Sequence, residues 1–177
     1  IAAITTATLP TGSIGVPYAA QLQASGGFPP YRWTLSDSRL PGNLTLNSDG
    51  SVTGVPNAAE SFNTRIRVED SFGQYVWRSV FLTIAGPLQI TTTSLSAPPL
   101  HDNVNITLAR TGGVAPFTWS LATGSLPNGV TRSAAGVLSG TSFVAGSFPI
   151  EVRVTDGAGS TDLQALTLDV FARDQVI

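Results

Sequence analysis

The chain has 177 residues, and only 11% of them are charged, where about a quarter is usual in globular proteins. Its nine basic residues are all arginine, and the formal net charge of −2 offers no basic field for nucleic acid and no polybasic patch for anionic lipid. Cysteine is absent, which excludes disulfides and thiolate metal sites, and no apolar stretch reaches membrane-spanning length. The composition therefore predicts neither a nucleic-acid partner nor insertion into a membrane.

The sequence repeats itself at a constant offset of 86 residues. Because the offset does not change along the chain, the two copies differ by no insertion or deletion. This period predicts two domains, residues 1–86 and residues 87–177, the second carrying a C-terminal tail. The clearest matched pairs are Gly26 with Gly112, Trp33 with Trp119, Leu40 with Leu126, Gly54 with Gly140, Asp70 with Asp156 and Gly73 with Gly159.

Strand patterns follow one another along each copy. In the first copy, period-two alternation or short apolar runs occur at residues 18–24, 31–35, 44–46, near 52, at 62–69 and at 80–84, with Gly and Pro between them. The second copy repeats these segments 86 residues later. About seven short strands per copy predict an all-β fold of two tandem Ig-like or cadherin-like antiparallel β-sandwiches. Trp33 and Trp119 fit the buried tryptophan that such a sandwich places on a central strand.

The junction between the copies reads Ala-Gly-Pro-Leu over residues 85–88. So short a connection, stiffened by proline, predicts a semi-rigid pair of modules. The chain starts at Ile1 without methionine, which we interpret as a processed or excised part of a larger protein. Residues 171–177 extend past the second copy. They either lead into a further module or add as a strand to a neighbour's sheet edge, which no lysine protects.

Several segments carry a resemblance to a known family. They are residues 4–6, 15–18 (GVPY), 26–33 (GGFPPYRW), 40–46, 50–54 and 68–73, and the second copy departs from the pattern at residues 99–104. The chain resembles the He-PIG family of Ig-like domains in bacterial surface proteins, which is related to cadherin-like and dystroglycan-like modules. The resemblance implies an extracellular location in bacteria and a role as spacer, adhesive module or accessory to an enzyme. Its implied partners are neighbouring Ig-like modules or copies of the same chain.

Some cadherin-like relatives bind calcium, and the acidic residues Glu69, Asp70 and Asp156 are the candidate ligands here. Calcium takes six to eight oxygen ligands, and loop carboxylates supply them. The alternative is structural, because an aspartate at the start of a turn bonds backbone N–H groups two residues further on. The junction itself supplies no acidic residue, so the structural interpretation is favoured and no cofactor is predicted.

A row of aromatic residues is the most unusual feature of the first copy. If Val80 and the residues in step with it face the core, Tyr75, Trp77 and Phe81 face outward. The second copy has Thr and Leu at these positions, so the core does not require the rings. The row predicts an interaction surface that stacks on a polysaccharide or packs against protein. A β-bulge that reverses the faces, or burial in the domain joint or under a flanking module, remain alternatives.

Catalysis is not expected. His101 is the only histidine, and it lies beside Asp102 in a proline-rich loop where the first copy has Gly15. A Ser-His-Asp arrangement also needs a positioned nucleophile and an oxyanion hole, and no pair of carboxylates has the spacing that suggests a glycosidase. We therefore interpret the chain as a non-enzymatic spacer or adhesive stalk. A self-assembling surface filament and a carbohydrate-binding accessory of a secreted hydrolase are the alternatives.

Overall fold

Alternating side chains build the long strands of the computed structural model, which describes residues 1–36 and 39–172. In the strand Glu60–Glu69, Ile66 and Val68 are fully buried while the residues between them face outward. Val152 and Val154 are buried in the same way in the strand Gly146–Thr155. The chain divides after Pro87 into two compact units, one residue from the predicted boundary.

The first unit, Ile1–Pro87, contains nine strands in its described part. They are β1 (Ala3–Ile4), β2 (Gly12–Ser13), β3 (Tyr18–Gln21), β4 (Ala24–Ser25), β5 (Arg32–Leu35), β6 (Leu44–Leu46), β7 (Ser51–Gly54), β8 (Glu60–Glu69) and β9 (Tyr75–Ala85). They form a four-stranded sheet in the order β2-β9-β8-β5, a three-stranded sheet β3-β7-β6 and the pair β1-β4.

The second unit repeats this plan. Its strands are β10 (Gln89–Ile90), β11 (Asn103–Thr107), β12 (Arg110–Thr111), β13 (Thr118–Gly124), β14 (Val130–Arg132), β15 (Val137–Thr141), β16 (Gly146–Thr155) and β17 (Thr161–Val170). They form the sheets β13-β16-β17 and β11-β15-β14 and the pair β10-β12. Residues 1–36 and 39–172 contain no helix. None of these residues therefore forms an apolar helix of the length needed to cross a membrane.

Each unit has a sandwich core to which both of its main sheets contribute. In the first unit, Val52 of β7 packs in one cluster with Val68 of β8 and Leu82 of β9. In the second unit, Leu138 of β15 packs with Leu168 of β17. Facing sheets bury apolar area that neither sheet could bury alone, and this burial is the main stabilising contribution in such folds.

The two repeated tryptophans lie in these cores. Trp33 of β5 is 4% exposed and Trp119 of β13 is 3% exposed. A glycine with positive φ lies directly against each indole: Gly50 at φ +88° and Gly136 at φ +85°. A Cβ on either glycine would lie 2.6 Å from the indole Nε1. The repeated Trp–Gly pair is therefore a packing unit, in which only glycine fits both the turn and the ring.

One edge of the larger sheet of the first unit differs from a purely antiparallel sandwich. The N-terminal segment pairs antiparallel with β4 through β1, and β2 then runs parallel to β9, with Gly12 opposite Ile84 and Ser13 opposite Ala85. Tyr18 stabilises the segment between these strands, because its hydroxyl donates a hydrogen bond to the Pro10 carbonyl at 2.7 Å. Short strands of this kind give no alternation signal, so sequence periodicity did not predict the parallel edge.

Because Tyr18 is buried, we expect the folding stability of the first unit to fall at high pH. Burial raises the pKa of Tyr18 to about 12, above the value of about 10 of an exposed tyrosine. Because the folded pKa is the higher one, the contribution of the neutral phenol is complete below about pH 10 and is lost as the pH rises toward 12. Val104 stands at the matching position of the second unit and does not titrate.

We expect the urea midpoint of the first unit to fall between pH 10 and 12, and Tyr18→Phe to remove this component of the fall. An equal fall in the variant would contradict the assignment.

Candidate functional site

The aromatic row lies on the outward face of β9. Pairing between β8 and β9 continues through ten residue pairs without a register shift, so no bulge reverses the faces in this hairpin. Tyr75, Trp77 and Phe81 are 54%, 37% and 43% exposed. Val80 and Leu82, in the opposite phase, are fully buried. The structure therefore places all three rings at the surface of the first unit, on the side of the sheet away from the core.

Arginines of β8 pack against two of these rings. The guanidinium carbon of Arg67 lies 4.2 Å from the centre of the Tyr75 ring and 5.8 Å from that of Trp77. The guanidinium of Arg65 lies 5.0 Å from the Trp77 ring. The two rings meet edge to face, with centres 5.9 Å apart, and Arg67 also forms an ion pair with Glu69. Cation–π contacts and the ion pair join these side chains into one cluster, which we call the Arg–aromatic face.

Sequence reasoning identified the rings of this face and missed the arginines. The signal was nevertheless present, because the hairpin turn at residues 70–74 fixes the register of the two strands. Counting outward from the turn places Arg67 opposite Trp77, as the pairing shows. Outward cross-strand neighbours lie about 4.5–5.5 Å apart at Cβ, which brings a long arginine over an aromatic ring.

Asp70 is buried, and its carboxylate accepts hydrogen bonds from three backbone N–H groups. Oδ1 accepts from Phe72 and Gln74, each at 3.0 Å, and Oδ2 accepts from Phe28 at 3.4 Å. The first two bonds close the turn between β8 and β9. The third ties that turn to the loop before β5, 42 residues earlier in the chain. The carboxylate thus holds two loops together.

Asp156 repeats this arrangement in the second unit. Its Oδ1 accepts from Ala158 at 3.0 Å and from Ser160 at 2.8 Å, and its Oδ2 accepts from Val114 at 3.0 Å. Asp156 is 5% exposed, as is Asp70. Both aspartates therefore act as turn caps, with their oxygens directed at protein N–H groups.

The three calcium candidates do not form one cluster. Asp70 and Asp156 belong to different units, and the Glu69 carboxylate binds Arg67 on the outward side of β8. Among residues 1–36 and 39–172, no group of three His, Asp or Glu side chains is arranged to hold a metal ion.

His101 occupies a turn and contacts an aromatic ring. Its φ of +69° matches the +75° of Gly15 at the same point of the first unit, so both copies place a residue with left-handed backbone here. The imidazole centre lies 5.7 Å from that of Phe143, and the His101 N–H donates to the Ser142 carbonyl at 3.1 Å. These contacts are those of a packed loop residue.

The first described residue of the predicted tail pairs within its own unit. Phe171 donates its N–H to the Pro98 carbonyl at 3.2 Å and accepts a bond from the Leu100 N–H at 2.7 Å. This parallel bridge corresponds to the pairing of β2 with β9 in the first unit. The tail is also predicted as a donated strand, and its residues 173–177 lie outside the described residues.

Comparison with protein families identifies the chain. The model of the family described as Putative Ig domain, He-PIG, matches twice, over residues 2–85 and over residues 83–171. The chain belongs to this family. The two matches confirm the resemblance drawn from the sequence, and each covers one of the two repeats.

Solved structures share the fold of these He-PIG repeats at low sequence identity. An I-band fragment of titin matches with a TM-score of 0.52 at 11% identity, over 97% of this chain and 66% of that one. Extracellular domains 3–5 of Drosophila OTK match with a TM-score of 0.50 at 13% identity, over 97% and 62% of the two chains. The endo-fucoidan hydrolase MfFcnA9 matches with a TM-score of 0.52 at 16% identity, over 96% and 34%. A search of curated proteins finds no match.

The He-PIG chain thus spans less than two thirds of the length of each of these structures. At such identities the likeness shows the fold alone. It confirms the predicted all-β architecture of two tandem Ig-like modules.

Proposed function

We propose that the chain is a non-enzymatic spacer of two Ig-like modules in an extracellular bacterial protein. Membership of the He-PIG family supports this proposal, since the family resemblance implies secreted and cell-surface proteins. The tandem Ig-like architecture supports it as well, because arrays of such modules act through length and repeated contact. His101 takes no catalytic part in the proposal and serves as a loop residue packed on Phe143.

The connection between the units carries the proposal. Ala85 ends β9 and pairs with Ser13 in the first unit. Leu88 is 8% exposed and packs in a core cluster of the second unit. Only Gly86 and Pro87 lie between these two anchored residues, and proline fixes its own φ near −65°. A connection this short is what a spacer built of tandem modules requires.

The spacer proposal predicts a defined response to lengthening this connection. A single globule of this length has a radius of gyration of about 16 Å, so we expect small-angle scattering to give a larger value for a monomer of 18.3 kDa. Inserting eight Gly and Ser residues after Gly86 adds a flexible reach of about 15 Å and should broaden the distribution of interatomic distances.

Two results would contradict the spacer. A radius of gyration near 16 Å would indicate that the modules collapse on each other. Defined oligomers or filaments in light scattering would make self-assembly the function, as the filament alternative holds. A matched insertion of the same eight residues after Ala145, an exposed residue just before β16 of the second unit, controls for added mass and flexible chain.

A further inference from the structure

We propose that the Arg–aromatic face of the first unit is a binding site for an acidic polysaccharide. Arg65 and Arg67 contact the carboxylate or sulfate groups of the polymer, and Tyr75 and Trp77 pack against its sugar rings. This site is independent of the spacer role, because the connection between the units takes no part in it. Failure of binding would leave the spacer proposal intact.

The charge of this face is opposite to that of the whole chain. Arg32 of β5 lies beside the face, opposite Glu69, so the register of β5, β8 and β9 places Arg32, Arg65, Arg67 and Glu69 on one outward surface. Three arginines and one glutamate leave this surface a formal charge of +2, while the chain as a whole carries −2. Arginine binds carboxylate and sulfate with paired N–H donors, so the surface is complementary to a polyanion.

The arginines of this face are held in position before any ligand arrives. Arg67 lies 4.2 Å from the Tyr75 ring centre, and Arg65 lies 5.0 Å from that of Trp77. A long arginine side chain usually loses rotamer freedom on binding, and that loss weakens affinity. Stacking on the rings imposes part of this order during folding, so less is lost when an anion binds.

The second unit provides an internal comparison, because it builds the same fold without this face. At the positions of Arg65, Tyr75 and Trp77 it carries Glu151, Thr161 and Leu163. The sandwich therefore does not need the arginine or the rings for stability. Their presence in the first unit alone indicates a role at the surface.

The surroundings of the face favour a polysaccharide over a folded protein. The outward positions between and beside the rings hold Thr34, Asn63 and Ser79, which donate and accept hydrogen bonds as sugar hydroxyls do. The guanidinium groups cover only part of each ring, and Tyr75 and Trp77 remain 54% and 37% exposed, so ring surface is left for a sugar to pack against. Phe81 extends the row to about 20 Å from Tyr75 at about 3.3 Å per residue, a length that suits an extended polymer.

Affinity electrophoresis of the full chain tests the site, in gels that contain polygalacturonate, dextran sulfate, neutral dextran or poly-L-glutamate. The variants take residues that the second unit already carries: Arg65→Glu for charge, and Tyr75→Thr with Trp77→Leu for the rings. Because the same fold contains these residues 86 positions later, we expect each variant to keep the thermal midpoint of the native chain. Arg153→Gln, at the counterpart of Arg67, is the matched control.

We expect at least one of the two acidic polysaccharides to retard the native chain, and neutral dextran to leave its mobility unchanged. Affinity should fall at least tenfold in Arg65→Glu and in the ring variant, stay unchanged in Arg153→Gln, and weaken as salt screens the charges. Lack of retardation by both acidic polysaccharides, or equal retardation of Arg65→Glu, would overturn the proposal. Equal binding of poly-L-glutamate would reassign the face to acidic peptides. Preference for polygalacturonate or for dextran sulfate identifies carboxylate or sulfate as the bound group.

Discussion

Replacing Asp70 with alanine should lower the free energy of unfolding of the first unit by about 3 to 5 kcal/mol. The buried carboxylate accepts backbone N–H bonds from Phe72, Gln74 and Phe28. A hydrogen bond to a charged acceptor contributes about 1.5–3 kcal/mol, and water replaces the carboxylate in part at these part-buried donors. The loss is a large fraction of the about 5–15 kcal/mol that stabilises a typical domain. Urea denaturation followed by circular dichroism measures it, and Asp156→Ala should repeat the result in the second unit.

Two controls distinguish a turn cap from a metal ligand. Asp70→Asn keeps one acceptor oxygen of the same shape and should lose about half as much stability as the alanine variant. EDTA should leave the thermal midpoint of the native chain unchanged, because the carboxylate oxygens already bind protein N–H groups. A midpoint that falls with EDTA and recovers with added calcium would support the calcium hypothesis instead.

Gly50→Ala should destabilise the first unit by about 2 to 5 kcal/mol. Gly50 has a φ of +88°, and a Cβ there would lie 2.6 Å from Nε1 of the buried Trp33. The left-handed backbone costs an alanine about 1–2 kcal/mol, and overpacking a core side chain adds about 1–3 kcal/mol. Thermal melting followed by circular dichroism reports the loss, and Trp33 fluorescence reports any displacement of the ring.

Gly73→Ala separates the two contributions. Gly73 has a φ of +77° but no atom within 4 Å of a Cβ placed on it. The variant should therefore show the backbone cost alone, about 1–2 kcal/mol. If Gly50→Ala and Gly73→Ala lose equal stability, contact with the indole contributes nothing and the proposed Trp–Gly packing unit is wrong.

The positions that sequence reasoning placed correctly follow from local alternation. Apolar residues two apart in β8 and β9 share a face. This alternation predicts that Val80 and Leu82 are buried and that Trp77 faces outward, as the structure shows. The repeat at 86 residues then extended each assignment to the second copy. The local turn bonds of Asp70 belong to the same class, since an aspartate reaches the N–H groups just after it.

Contacts between segments distant in sequence escaped prediction. The third bond of Asp70 comes from Phe28, and no pattern within either segment relates the two. The parallel pairing of β2 with β9 rests on two residues, too few for periodicity to show. The packing of Arg65 on Trp77 needs the side chains as well as the register, because arginine has several conformations that reach solvent instead.

By itself the sequence determined the all-β class, the two repeats, the family and the outward position of the aromatic row. These features depend on the alternation of apolar residues within each strand and on the constant offset of 86 residues between the two copies. Only the tertiary structure decided which groups contact the charged side chains. In the folded chain, backbone N–H groups donate hydrogen bonds to the Asp70 and Asp156 carboxylates. Arg67 packs against the Tyr75 ring and forms an ion pair with Glu69. The physical reason is that a side chain's partners are set by which strands and loops meet in space, whereas its face is set by its neighbours along the chain.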